Sequence, residues 1–352
     1  MMRTTKFIFM FLLVIMVSGC LEPNRDGIPG GDGPDRLLMM TWNCQNLFDG
    51  VHDGTEYPEF DPALGKWTDE MYRTRLLLAA DIIRSAGGEG PDILFLQEVE
   101  NRCVVEDLNE VLGRDGFRWI FVTEEKDRAI QLAVLSRWPL EGIRLWQPGF
   151  FNEESLRPVV ELQVVLGNER MILFNNHWKS KREGVPETEP ARCLSAAVLT
   201  ARISGGTLCC AAGDFNTELN DRGTAGADEG GGNQAFCSWP DQGAPAGRIL
   251  LTADRSRFGL GDFPDNLMYE TWGESTGEGS YYFNGEWSRP DHFLLSAPFF
   301  DGAGWEFESM TVCGNPVLVA GSGAPLRWIT ETGEGYSDHL PLLLCLVRLS
   351  GE

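Results

Sequence analysis

The chain has 352 residues, a formal net charge of −23 and 43% hydrophobic residues, including 11 Trp and 20 Phe. That is enough apolar side chain for a sizeable core, which excludes an intrinsically disordered chain. The acidity excludes a protein that grips nucleic acid through a basic surface, because phosphate neutralisation needs Lys and Arg, but it leaves room for an enzyme with one local basic patch.

Arg3 and Lys6 form a short positive start, and Phe7 to Val17 form an apolar stretch too short for an ordinary membrane span. Val17-Ser18-Gly19-Cys20 follows. This tetrapeptide resembles the lipobox of bacterial lipoproteins, in which the cysteine is acylated and becomes the new N-terminus. The resemblance implies a signal peptide over 1–19, lipidation at Cys20 and a membrane-anchored protein outside the cytoplasm, periplasmic or at the cell surface. Leu21 after the cysteine favours the outer membrane. A plain secretory signal is the alternative. Residues 20–36, rich in Gly, Pro and Asp, read as a flexible tether.

The apolar run 37–42 predicts a buried strand, and 49–69 a long loop. Tyr72, Leu76, Ala79, Ala80 and Ile83 recur at helical spacing over 70–86, and Gly87-Gly88 closes that helix. A strand is expected at 93–96 and a helix at 102–112. Further strands are expected at 117–122, 130–136, 158–166, 170–176, 207–212, 289–296 and 340–348, with a helix over 190–203. Residues 217–247 are Gly-rich and read as a loop excursion. Many strands interrupted by about three helices fit a layered α/β domain. Cys20 aside, the cysteines match no zinc spacing and contain no Cys-x-x-Cys pair. Cys44, Cys209, Cys210 and Cys345 lie in apolar runs and read as core, and Cys313 with Cys345 is the expected disulfide.

Six short segments place polar residues at the ends of predicted strands, where side chains gather at one sheet edge. In chain order they are Trp42-Asn43-Cys44-Gln45, Gln97-Glu98, Asn175-Asn176-His177, Gly213-Asp214-Phe215-Asn216, Pro290-Asp291-His292 and Ser337-Asp338-His339. Any one match is weak; six in fixed order are not. The set resembles the endonuclease/exonuclease/phosphatase superfamily, whose members include DNase I-like nucleases, AP endonucleases, sphingomyelinases and inositol-polyphosphate phosphatases. The resemblance spans roughly 37–350. It implies a DNase I-like four-layered α/β sandwich, with two packed, mainly antiparallel sheets flanked by helices.

The residues themselves point the same way. If Glu98, Asp214, Asp291 and Asp338 converge, two carboxylates ~4 Å apart repel by roughly 4 kcal/mol at an effective dielectric near 20, so a cation or a proton is needed. Oxygen ligands select Mg²⁺ or Mn²⁺, with Ca²⁺ also suitable, over zinc. Carried over from the resemblance, Glu98 is the primary metal ligand, helped by Asp338 and by Asn43 or Gln45. His339 is the general base or orients the attacking water, with Asp291 fixing its tautomer. Asp214 and Asn216 position the water and a phosphate oxygen, and His177 donates to the scissile phosphate. Several relatives carry an acidic residue where this chain has Gln45, which implies weaker metal binding or a shift of the ion toward Glu98 and Asp338. His292 is read as packing, since family members often carry an aromatic there. Lys179, Lys181, Arg157 and Arg192 are the expected phosphate grips, with Arg73, Arg75 and Arg182 as further basic residues nearby.

The expected activity is metal-dependent hydrolysis of a phosphodiester, with extracytoplasmic DNA or RNA as substrate and a monomeric enzyme. A sphingomyelinase-like or inositol-phosphate phosphoesterase is the alternative, for which the apolar segment Trp146 to Phe151 would meet lipid. A non-catalytic binding module would have lost the site residues, and nearly all are present.

Overall fold

The computed structural model describes residues 33–126, 128–204, 206–218, 249–261, 263–313, 315–321 and 323–349, together with two short strands at Val14–Ile15 and Gln234–Phe236. The rest of the leader, Cys20 and most of the tether lie outside the described residues, as does most of the Gly-rich stretch expected over 217–247.

Strand β1 (Arg36–Leu47) shows how sequence becomes layer. Nearly every residue in it is buried, so it reads as one apolar run rather than a half-wet alternation. The period of two is still at work. Leu38, Met40 and Trp42 face one core with helices α1 (Asp69–Ser85) and α2 (Arg102–Leu112), whereas Leu37 and Met39 face a second core between the sheets. Strand β1 pairs in parallel with β2 (Ile93–Val99). The remaining strands of this sheet are β3 (Trp119–Val122), β4 (Gln131–Ser136), β12 (Gly304–Val312) and β13 (Leu342–Leu349), in the order β12-β13-β1-β2-β4-β3.

The second sheet contains β5 (Leu140–Trp146), β6 (Val159–Leu166), β7 (Glu169–His177), β8 (Cys209–Asp214), β9 (Ile249–Thr252), β10 (Leu267–Glu270) and β11 (Asp291–Leu295). Its order is β5-β6-β7-β8-β11-β10-β9, with Val14–Ile15 added beyond β5 and Gln234–Phe236 beyond β9. Leu162, Val164, Met171, Leu173 and Phe293 fill the core between the sheets. On the outer face, Phe174, Ala211 and Leu294 pack against Ala196 and Leu199 of helix α3 (Val185–Arg202). Two mixed sheets flanked by helices result, as expected.

Helix signals were mostly legible. Thr68 caps α1 by accepting from the Met71 N–H, and Asn101 caps α2 by accepting from the Val104 N–H. Helix α3 begins earlier than the expected residue 190, because Pro186 rather than Pro190 is the first-turn proline and Pro190 lies inside the helix. Strands β5, β9, β10 and β12 lie outside the expected set. Register shifts between Glu141 and Arg144, and between Phe307 and Ser309, break the alternation that would have revealed β5 and β12. The expected disulfide is absent. Cys313 and Cys345 are both free, with Cys345 opposite Ser309 in the ladder and its thiol donating to Glu308 at 2.7 Å.

The two sheets are tied by polar groups as well as by apolar packing. Gln97, fully buried, donates to Thr41 Oγ1 at 3.2 Å and to Asn175 Oδ1 at 2.8 Å, and Asn175 donates to the carbonyls of Leu96 and Ala133. Residues of two sequence motifs therefore bridge the sheets and carry no chemistry themselves. Gln97→Leu leaves the Asn175 oxygen buried without a donor. It should lower unfolding stability by about 1–3 kcal/mol in urea titration, whereas an unchanged midpoint would show the bridge to be dispensable.

Candidate active site

Strand register alone brings three motif residues abreast. His177 pairs with Asp214 in the parallel β7–β8 ladder, and Asp214 pairs with Asp291 in the antiparallel β8–β11 ladder. Gly213 makes the close approach possible: at φ +129°, a Cβ there would lie 2.1 Å from the Asn176 carbonyl oxygen. On the facing sheet, Asn43 pairs with Gln97. The next residue, Glu98, adopts φ +61° where both ladders of β2 shift register. A bulge with a left-handed non-glycine residue turns this carboxylate out of the ladder, a form of local strain common at functional sites.

The last motif is locked to the first. Ser337 Oγ donates to the Asn43 carbonyl at 2.7 Å, the Asp338 N–H donates to Gln45 Oε1 at 3.0 Å, and Trp42 Nε1 donates to the His339 carbonyl at 3.0 Å. These bonds seat His339 beside Asp291. His339 Nδ1 lies 2.7 Å from Asp291 Oδ2, which also accepts from Ser280 Oγ at 2.6 Å. The other ring nitrogen, Nε2, faces Asp214 Oδ2 at 4.0 Å. Tyr281 packs against the imidazole at a tilt of 41°, with 4.7 Å between ring centroids. Asn43 links the two sides, its Nδ2 donating to Glu98 Oε1 at 3.2 Å and to Asp214 Oδ2 at 3.1 Å. His177 Nε2 lies 3.6 Å from Glu98 and 3.8 Å from Asp214, and its Nδ1 is buried without a partner.

Glu98, Asp214, Asp291, His177, His339 and Asn43 thus form one connected cluster at the rim where the sheets meet. Asn216 lies at its edge, its N–H on Asp214 Oδ1 at 2.9 Å and its Nδ2 on the Trp178 carbonyl at 3.2 Å. Asp338 is held by its backbone, and its charge acts on His339 and Tyr281.

Four expectations need correction. Gln45 is no metal ligand: Oε1 accepts from the Trp328 and Asp338 N–H groups, and Nε2 donates to the Trp328 carbonyl. Asn43 gives its oxygen to the Gln45 N–H at 2.9 Å and turns its NH₂ to the carboxylates, so it bridges them as a donor. Arg192 is fully buried in α3 and spends its guanidinium on Glu189, Thr188 and the Lys179 and Val185 carbonyls, leaving no N–H for phosphate. Arg75 is also scaffold, donating to the carbonyls of Cys44, Gln45, Asn46 and Tyr336 around the turn after β1. His292 is packing, as read, with its ring nitrogens on Glu270 and the Thr217 carbonyl.

Beside His177 opens a pocket lined by Arg128, Arg157, Lys179, Phe151 and Trp178. Arg157 Nε is buried there without a partner, while Lys179 pairs with the exposed Glu183 at 2.7 Å. Lys181 pairs with Glu218 at 3.5 Å. Arg128 and Ser280 were missed in the sequence, since neither lies in a strand-end motif.

The electrostatics separate the two imidazoles. Burial works against charge on His339, but Asp291, then Asp214 and Asp338, outweigh it and raise its pKa to about 10. His177 goes the other way: burial, reinforced by Arg157, His339 and Arg128, lowers its pKa well below the ordinary range, so it stays neutral. Burial and then Asp291 raise Asp214 to about 7. The donor set is hard oxygen, with carboxylates outnumbering the cations that touch them, and this suits a divalent cation of the Mg²⁺ or Mn²⁺ class.

The model of the Endonuclease/Exonuclease/phosphatase family matches residues 38–219. Among curated proteins, none matches significantly. Solved structures share the fold. D. rerio TDP2 complexed with single strand DNA product is 14% identical, with TM-score 0.51, covering 89% of this chain and 99% of that one. An endonuclease/exonuclease/phosphatase from Beutenbergia cavernae is 16% identical, with TM-score 0.52, covering 90% and 72%. ANGEL2, a 2',3'-cyclic phosphatase in complex with adenosine-2',3'-vanadate, is 14% identical, with TM-score 0.51, covering 89% and 96%.

Asp291→Asn should return His339 in the cation-free protein from about 10 to within about one unit of its ordinary 6.5, read by NMR titration of the imidazole. Well below pH 6.5 the imidazole is charged in both proteins, so the difference should open as pH passes the variant's value and close only above about 10. Superimposable titrations would remove Asp291 as the cause.

Proposed function

As a member of the endonuclease/exonuclease/phosphatase family the chain is a phosphoester hydrolase, and we propose that it is a divalent-cation-dependent phosphodiesterase that cleaves nucleic acid outside the cytoplasm. The observation that carries the substrate reading is the basic pocket beside His177. In a chain of net charge −23, Arg128, Arg157 and Lys179 line one pocket directly against the carboxylate cluster. That placement suits a backbone phosphate next to the scissile one. Phe150, 72% exposed next to the pocket residue Phe151, offers a face on which a base can stack. The D. rerio TDP2 structure with a single strand DNA product shows that this fold can hold such a chain.

We assign the cation to Glu98 and Asp338, because Asp291 and His339 already satisfy each other at 2.7 Å. When bound, such an ion supplies Lewis acidity toward a phosphoryl oxygen and the leaving oxygen. Asp214, raised to about 7, takes the proton of the attacking water. Asn216 holds that carboxylate through its N–H. His339, kept charged and oriented by Asp291, donates to the phosphate as negative charge grows on it, a role distinct from the base or water-orienting role expected from the sequence. Neutral His177 donates as a second, uncharged partner. Residues 37–350 form the hydrolase domain in this reading, tethered through lipidated Cys20.

Plasmid and single-stranded DNA, RNA, sphingomyelin vesicles and inositol phosphates should be tested side by side with Mg²⁺ or Mn²⁺. Nucleic acid should be cleaved, with loss on chelation, a steep fall with salt, and a drop of about 10³-fold in His339→Ala and Glu98→Ala. Arg157→Ala should raise KM about tenfold with little change in kcat. Cleavage of sphingomyelin or inositol phosphate with nucleic acid untouched would overturn the substrate, and full activity in His339→Ala or Glu98→Ala would overturn the mechanism. Replacing Cys20 with Ser should abolish palmitate incorporation; labelled protein with Ser at that position would remove the anchor.

A further inference from the structure

The loop after β1 gathers a second group of carboxylates, separate from the cluster around Asp214. Asp53, Glu56 and Glu100 each offer an oxygen, and these oxygens all lie within 4.8 Å of one another. This is no solvated acidic face. The Glu56 side chain is 1% exposed and Glu100 is 3% exposed. Among the described residues no Lys or Arg pairs with any of the three. His52, the nearest cationic candidate, lies 3.5 Å from Glu56 and sits closer to Asp61, at 2.9 Å.

Most oxygens here have local donors. Glu56 accepts from the Asp53 and Gly54 N–H groups, and Asp53 Oδ1 accepts from Thr55. Glu100 Oε2 accepts from the Asp49 N–H at 2.7 Å. Glu100 Oε1, however, is buried with no partner at all. An unsatisfied carboxylate oxygen, buried beside a second buried carboxylate, is strongly unfavourable unless a proton or a cation offsets the charge, and a cation between them satisfies both groups at once.

We propose that Asp53, Glu56 and Glu100 bind a structural hard divalent cation, of the calcium class, that fastens the loop 49–61 to the end of β2. All-oxygen donors and carboxylate charge fit calcium better than a nitrogen- or sulfur-preferring metal. The loop carries Phe60, stacked on Phe48, and Tyr57, tilted against the same ring, so the cation ties an aromatic wall to the sheet edge that presents Glu98. This site is independent of the catalytic assignment.

The test is calorimetric titration of the full chain with calcium chloride alone, in a Glu98→Gln, Asp338→Asn background that silences the proposed catalytic ion. One calcium per chain should still bind, with an upward shift in melting temperature at millimolar calcium. Adding Asp53→Asn, a change at an exposed residue that leaves the fold intact, should weaken binding about tenfold or more, and Glu100→Gln should abolish it. Should Glu100→Gln fail to fold, the Asp53→Asn comparison decides alone. No calcium bound in the background chain, or an affinity unchanged by Asp53→Asn, would overturn the site.

Discussion

Like charges must be held together against their repulsion before this site can exist, and strand register is what holds them. His177, Asp214 and Asp291 stand abreast because three neighbouring strands pair at those residues. The facing sheet brings Glu98 and Asn43 up to the same rim, and the Gln97–Asn175 bond fixes one sheet against the other. None of these positions can relax outward without breaking ladder bonds, so the carboxylates stay crowded. The strain is local and the scaffold is large: three apolar clusters and the three α-helices among the described residues hold it in place.

Crowding explains the division of labour between two histidines in one cluster. His339 touches a carboxylate directly and is held charged, whereas His177, shielded by burial and facing Arg157, is held neutral. A single site thus keeps a cationic and a neutral donor at the same pH. The acidity of the whole chain is compatible with a phosphate substrate for the same reason. Three basic side chains at one pocket matter more to a bound phosphate than the distant surface charge, which salt screens beyond about 10 Å.

Much of this was legible in the sequence, and the failures share a cause. Strand-end carboxylates and histidines stood out because apolar runs lead into them, and the structure brings Glu98, His177, Asp214, Asp291 and His339 together. Residue type alone could not show direction. Gln45 and Arg192 carry suitable polar groups at suitable places in the chain, yet Gln45 is taken by the backbone of Trp328 and Asp338, far along the sequence, and Arg192 by Glu189, Thr188 and two carbonyls around its own helix. Asn43 lies in the cluster but presents the other end of its amide. Arg128 and Ser280 escaped notice because they reach the site from loops without a pattern. Strands β5 and β12 hid behind bulges, which preserve pairing while erasing the period of two. Cys313 and Cys345 share a sheet edge, but ladder register sets Cys345 against Ser309.

In the proposed mechanism Glu98 and Asp338 hold one divalent cation at the rim, next to the basic pocket. Anomalous diffraction from a crystal soaked in Mn²⁺ tests it most directly. A peak within bonding distance of Glu98 and Asp338, on the side facing Asp214, is the predicted result. An ion found only away from Glu98, with His339 and Asp291 still paired and the rim carboxylates unliganded at saturating Mn²⁺, would contradict the account.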